Sequence, residues 1–151
     1  DVLEAIKKEV SRLDLLPIVF DFERPTDRDL TETIMTLAGL SRFIVADITA
    51  PKSVPLESHA TVPNYMVPFV PLIQDGEKPF SMFNDLWTKH REWVLEPVGY
   101  ASVDQLVRVF KKAVVDRANE RLQVLRVRKA ERMPIRHASE FEDPPRDSGQ
   151  P

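Results

Sequence analysis

Four apolar runs, continuous rather than alternating, punctuate this chain between stretches with helical spacing. They are Leu15-Leu16-Pro17-Ile18-Val19-Phe20-Asp21-Phe22, Arg42-Phe43-Ile44-Val45-Ala46-Asp47-Ile48, Met66-Val67-Pro68-Phe69-Val70-Pro71-Leu72-Ile73 and the shorter Glu92-Trp93-Val94-Leu95. A strand with one wet face alternates polar and apolar residues. A strand that reads as apolar throughout is covered on both faces, as in a parallel sheet between helix layers. Pro68 and Pro71 cannot donate ladder hydrogen bonds, which pushes the third run toward a sheet edge.

The intervening stretches predict helices. Val2, Leu3, Ile6, Val10 and Leu13 recur at three and four with charges between them, the mark of an amphipathic helix. Thr26 and Asp29 have capping-box spacing ahead of the stripe Leu30, Ile34, Leu37 and Ala38, and Gly39 stands where a C′ glycine would close that helix. Pro51, Pro55 and Pro63 leave room only for a short helix around residues 56–60. Phe83, Leu86 and Trp87 predict a helix over 81–90, and Ser102 with Gln105 opens a long one through Leu106, Phe110 and Val114. Past Asp116 the helical pattern is crowded with Arg117, Arg121, Arg126, Arg128, Lys129 and Arg132, and is expected to project as a solvated extension over residues 116–133. Residues 134–151 are polar, acidic and proline-containing, and are expected to form a disordered tail. The α/β domain then spans residues 1–115.

Composition removes several kinds of function. Without cysteine there is no disulfide framework, thiolate zinc site, iron–sulfur cluster or cysteine nucleophile, which fits a cytoplasmic protein. The four glycines, at 39, 76, 99 and 149, cannot write a Walker loop or a Rossmann G-x-G-x-x-G. A formal charge of −3 argues against nucleic acid as a partner of the whole domain. No apolar run has the length of about 20 residues that a membrane-spanning helix needs. His59 stands two residues from Glu57, a spacing that points to different faces of a helix, so no His–Glu pair is expected; His90 and His137 lack partners at metal-ligand spacing, so no metal is expected. No G-x-S-x-G elbow exists for a serine hydrolase.

The order helix, strand, helix, strand, short helix, strand, helix, strand, helix is that of an open parallel α/β sheet with helices on both faces. An opening helix is unusual there, because such folds begin with a central strand; a strand preceding Asp1 is therefore expected. With it restored, the order resembles the five-stranded, flavodoxin-like, doubly wound fold of Toll/interleukin-1 receptor (TIR) domains. Glu23 to Asp29 then matches their functional loop after the second strand. The stretches Pro17-Ile-Val-Phe-Asp-Phe-Glu-Arg-Pro-Thr-Asp-Arg-Asp29 and Phe43-Ile-Val-Ala-Asp-Ile-Thr-Ala-Pro-Lys-Ser-Val-Pro-Leu-Glu57 resemble the carboxyl-terminal domain of some bacterial pentapeptide-repeat proteins. Together the resemblances cover about residues 2–115. The segment from Asp47 to Glu57 is also similar to the aspartate-strand and glutamate-helix pattern of nucleoside deoxyribosyltransferase-like and TIR-like proteins.

These resemblances imply a signalling or effector domain of a bacterial multidomain protein that self-associates and hydrolyses the nicotinamide N-glycosidic bond of NAD. NAD would then be a substrate, and no resident cofactor is expected. Pyridinium is already a good leaving group, so one carboxylate near the ribosyl cation suffices, and Glu57 is the matching position, with Ser53 beside it. Two features depart from the pattern: Ser58 stands where glycine is preferred, and the aromatic and cysteine that often accompany the glutamate are missing. Asp47 either orients a ribose or satisfies backbone N–H groups in its turn. Arg24 and Arg28 offer guanidinium groups to nucleotide phosphates. The mixed-sign loop of Glu23, Arg24, Asp27 and Arg28 alternatively docks another subunit or simply caps a helix. A non-catalytic interaction module and a nucleotide-binding sensor are the alternatives to an enzyme.

Overall fold

The structure, a computed structural model, describes residues 1–19, 28–49, 65–79, 81–132 and 134–142, with backbone alone at 28–31, 81, 82 and 132. Helix α1 spans Val2–Arg12: the Asp1 carboxylate accepts from the Leu3 N–H at 3.1 Å, and the helix ends at Leu13. Asp14 follows with φ 57°, a left-handed turn that a short polar residue tolerates. Next come α2 (Arg28–Leu40), β1 (Ile44–Asp47), β2 (Phe69–Gln74), α3 (Ser81–Lys89), β3 (Val98–Tyr100) and α4 (Val103–Phe110). A π-helical segment, Lys111–Asp116, joins α4 to α5 (Arg117–Arg132), and Ala138–Phe141 form a single 3-10 turn.

The fold is mixed α/β, with a parallel sheet in the order β1-β2-β3 among the described residues. Ile44 lies opposite Phe69, and Leu72 opposite Val98. Because side chains alternate along a strand, the sheet has two apolar faces. Val45, Val70 and Leu72 point to one, which is covered by Ile6 and Val10 of α1, Leu106 and Phe110 of α4, and Val114 and Ala118 beyond. Ile44, Ala46 and Phe69 point to the other, where Phe83 and Leu86 of α3 pack with Ile48 and Val94. Burying a side chain the size of Leu106 or Phe110 stabilises by about 1.5–3 kcal/mol, so these two layers define the core.

Several expectations are corrected. Residues 15–19 form no strand and are not buried: Leu16 is 88% exposed, Ile18 51% and Val19 43%. Asp14 turns the chain at the end of α1, the Leu15 N–H donates to the Val10 carbonyl at 3.2 Å, and only Leu15 reaches the core. Residues 20–22 lie outside the described residues. The proline-containing third run is no edge strand but the central one. The ladder between β2 and the following chain is interrupted between the Phe69–Val94 bridge and the Leu72–Val98 pair. Three steps on β2 there oppose four on the other side, a local bulge that contains Pro71 and Pro97. Neither proline has an N–H to lose, so a central position is tolerated. Of the expected strand over 92–95 only that bridge at Val94 remains, and the final strand is Val98–Tyr100.

Gly39 is not a left-handed cap either. It lies inside α2, where a Cβ would stand 2.8 Å from Cε1 of Tyr65; its missing side chain admits that ring. The basic helix is present but packed against the domain along much of its length. Leu125 is 1% exposed and Ala118 fully buried. Arg121 donates to the carbonyls of Arg91 (2.7 Å) and Glu92 (2.9 Å), Arg128 pairs with Glu92 at 3.3 Å, and Lys129 donates to the Met66 carbonyl at 3.3 Å. Beyond α5, the described residues 134–142 are exposed throughout. The short helix expected around 56–60 lies outside the described residues.

Candidate functional site

Asp47 ends β1 at the carboxyl edge of the sheet, where the three parallel strands finish together. Its Oδ1 accepts from the Thr49 N–H at 3.0 Å and from the Thr49 hydroxyl at 2.5 Å, and its Oδ2 accepts from the Tyr100 hydroxyl at 3.1 Å. Thr49 Oγ1 in turn accepts from the Gln74 N–H at 2.9 Å. Asp47 closes β1, Gln74 closes β2 and Tyr100 closes β3, so one side-chain network ties all three strand ends. The Asp75 N–H donates to the Tyr100 carbonyl at 2.9 Å, extending the junction by one residue. Gly76, at φ 87°, then supplies the left-handed residue that turns the chain away from the edge.

Tyr100 is buried at this junction. Burial pushes its phenol above the ordinary value for tyrosine. A hydrogen bond with Thr49 works against that shift, while the charge of Asp47 and the bond to it reinforce the shift. Of the two roles open to Asp47, the turn-bonding role is observed, since one oxygen holds Thr49 and the other holds Tyr100. Thr49, Gln74 and Tyr100 were not legible as site residues in advance. The Asp-x-Thr spacing of 47 and 49 signals a local side-chain-to-backbone turn, but nothing in the sequence pairs it with a tyrosine 53 positions away.

None of the other expected site residues has a described side chain. Glu23, Arg24, Asp27, Ser53 and Glu57 lie outside the described residues. Arg28 is described by its backbone, which opens α2. On the second face of the sheet, Trp87 and Trp93 pack partly buried at the border of the core. The Arg91 guanidinium lies 4.2 Å from the Trp87 ring centre, and the His90 ring 4.9 Å from that of Trp93. An open surface groove of about 490 Å³ runs beside the π-helical segment, lined by Val109, Lys112, Ala113, Asp116, Arg117 and Glu120. No group of three or more His, Asp or Glu side chains suited to a metal ion occurs among the described residues. No helix among them is long and apolar enough to cross a membrane.

Comparison of the chain with protein-family models, with curated proteins and with solved structures finds no match in any of the three.

Proposed function

We propose that the chain is a TIR-like signalling and effector domain of a bacterial multidomain protein, built on the flavodoxin-like, doubly wound plan. It works in the cytoplasm by self-association and, once assembled, hydrolyses the nicotinamide N-glycosidic bond of NAD. The observation that supports this reading best is the parallel sheet whose carboxyl edge is tied at Asp47, directly before the residues that include Ser53 and Glu57. Open α/β sheets take their ligands at that edge. The sharing of one sheet face by α1 and α4, with α3 on the other, also suits a doubly wound sheet.

In this reading Glu57 stabilises the positive charge that develops on the ribosyl carbon, Ser53 orients the ribose, and Arg24 and Arg28 hold the phosphates. The bond from ribose to the pyridinium nitrogen breaks with its electron pair passing to nicotinamide. A water oxygen bonds to the ribosyl carbon and releases its proton. Asp47 acts as a brace rather than a reacting group, because both of its oxygens are engaged by protein donors. The test is nicotinamide release by concentrated protein beside Glu57→Ala, with equal folding of the two confirmed by circular dichroism. Turnover abolished by the substitution is expected. Turnover that survives removes Glu57 from the chemistry, and absence of turnover in the clustered wild type removes the enzyme.

A second reading, an interaction module without turnover, is favoured by that same engagement of Asp47, which leaves no carboxylate oxygen without a protein partner there. Docking then falls to Glu23, Arg24, Asp27 and Arg28, and Arg24→Glu with Arg28→Glu abolishes association while NAD stays intact. A nucleotide sensor differs from both in raising the melting temperature with NAD present and uncleaved.

A further inference from the structure

Residues 134–142 are exposed, yet their own side chains hold them in a defined turn. The His137 N–H donates to Glu140 at 3.2 Å, Arg136 donates to Glu140 from Nε at 2.8 Å, and the Arg136 guanidinium lies 4.7 Å from the centre of the Phe141 ring. Phe141, 68% exposed, is thus an apolar ring that has given up part of its freedom before any partner arrives, which favours docking. The groove beside the π-helical segment complements it. Val109 and Ala113 supply its apolar lining. Of its charged residues, Asp116 is held by Lys111 at 2.8 Å and Arg117 by Glu96 at 3.1 Å, whereas Lys112 and Glu120 have no partner among the described residues. These two opposite charges stand about 12 Å apart at helical rise. Val124 and Val127, 47% and 59% exposed, follow Glu120 by four and seven positions and continue the same face toward the end of α5.

We propose that two copies of the chain pair through α5 in antiparallel orientation, each laying its turn of residues 136–142 into the groove of the other. Phe141 then covers Val109 and Ala113. Glu142, which has no partner among the described residues, meets Lys112, and Arg136 reaches Glu120 through its Nη groups while Nε keeps Glu140. The charges set the direction. A tail that leaves an antiparallel α5 passes Glu120 first and Lys112 last, which is the order of Arg136 and Glu142, and Val124 and Val127 of the two copies come together between the tails. Within one chain the turn falls short. From Arg132 to Phe141 the backbone, with its 3-10 turn, spans at most about 26 Å, part of it used in reversing direction, whereas Ala113 lies about 28 Å back along the helix. Because each copy offers one groove and one tail, the contact closes with two-fold symmetry and does not propagate. The inference supplies a surface for the self-association proposed above and rests on that part of the reading, not on NAD cleavage.

The chain has no cysteine, which gives a clean background for cross-linking. One preparation carries Lys112→Cys and another Glu142→Cys; the two are mixed and treated with a short bis-maleimide. A covalent dimer containing one chain of each is expected, together with a wild-type dimer in sedimentation equilibrium. Phe141→Glu and Val127→Glu, at exposed positions where fold stability is little affected, each yield monomers that melt as the dilute wild type does. Lys112→Glu and Glu142→Lys each weaken association about two- to fivefold per contact, and the double variant restores it. A wild type that stays monomeric at its highest soluble concentration overturns the proposal. So does a dimer indifferent to Phe141 and Val127, or one that gives no mixed cross-linked product. Cross-linking that occurs only within a chain carrying both cysteines also overturns it, by showing that the groove takes the chain's own tail. Nicotinamide release is measured separately, so loss of the dimer and loss of hydrolysis are told apart.

Discussion

The hydroxyl of Tyr100 donates to Oδ2 of Asp47 at 3.1 Å, joining the ends of the two outer strands β1 and β3 at the edge of the central one. A hydrogen bond to a charged acceptor contributes about 1.5–3 kcal/mol. Tyr100→Phe keeps the ring and removes only the donor, so destabilisation in that range is expected from urea unfolding. Thr49→Val removes both the hydroxyl that donates to Asp47 and the oxygen that accepts from Gln74, and is expected to cost at least as much.

The same pair makes the fold sensitive to alkali. Burial and the Asp47 charge hold the Tyr100 phenol protonated, with its folded pKa above its unfolded value. Its contribution is complete below the unfolded pKa of about 10 and is lost as pH rises from there through the folded value. Melting temperature is therefore expected to fall more steeply above that point in the wild type than in Tyr100→Phe. Absorbance of the phenolate, read in Tyr65→Phe, reports the late titration directly.

At the acid end the responsible contact is local to α1. Arg12 donates to Glu9 from Nε at 2.9 Å and from Nη2 at 2.6 Å, and these bonds hold the Glu9 carboxyl below the usual carboxylate range against the opposing effect of burial. The stabilisation is present above the unfolded pKa and disappears as pH falls through the lower folded value. Glu9→Gln is expected to flatten the acid limb of the melting profile.

Gly39 provides a test of sign. In a helix interior Gly→Ala ordinarily stabilises by about 0.8–1 kcal/mol. Here the new methyl meets the Tyr65 ring at 2.8 Å, so Gly39→Ala is expected to destabilise. In the Tyr65→Ala background the same substitution regains its ordinary benefit, and a double-mutant cycle by chemical denaturation reads the difference.

Helix α5 distinguishes packing from projection. Leu125 is buried and Val127, two residues on, is 59% exposed. Leu125→Ala is expected to cost about 2–5 kcal/mol, and Val127→Ala to fall within about 0.5 kcal/mol of the wild type, by urea denaturation.

The elements that pattern predicts well are those whose burial is local. Ile6 and Val10 place α1, Leu106 and Phe110 place α4, and Ile44 to Asp47 read as a strand because their neighbours in sequence share its apolar character. What pattern misses depends on distant partners. The exposed state of Leu16 and Ile18 depends on what lies beside them, not on their own hydrophobicity. The centrality of β2 depends on Pro71 and Pro97 falling in one interruption of the ladder, and the arginines of α5 depend on carbonyls at Arg91 and Glu92. In the candidate site, Asp47 was legible from its place at a strand end, while Tyr100 and Gln74 enter only through tertiary contact.

The bond from the Gln74 amide to a threonine hydroxyl has a consequence for observation. Most strand amides are protected by backbone carbonyls and exchange with solvent only when the ladder opens. This one is released when a single side chain rotates. Its exchange rate therefore works as a built-in gauge of the three-strand junction, readable in the intact protein long before the sheet itself gives way.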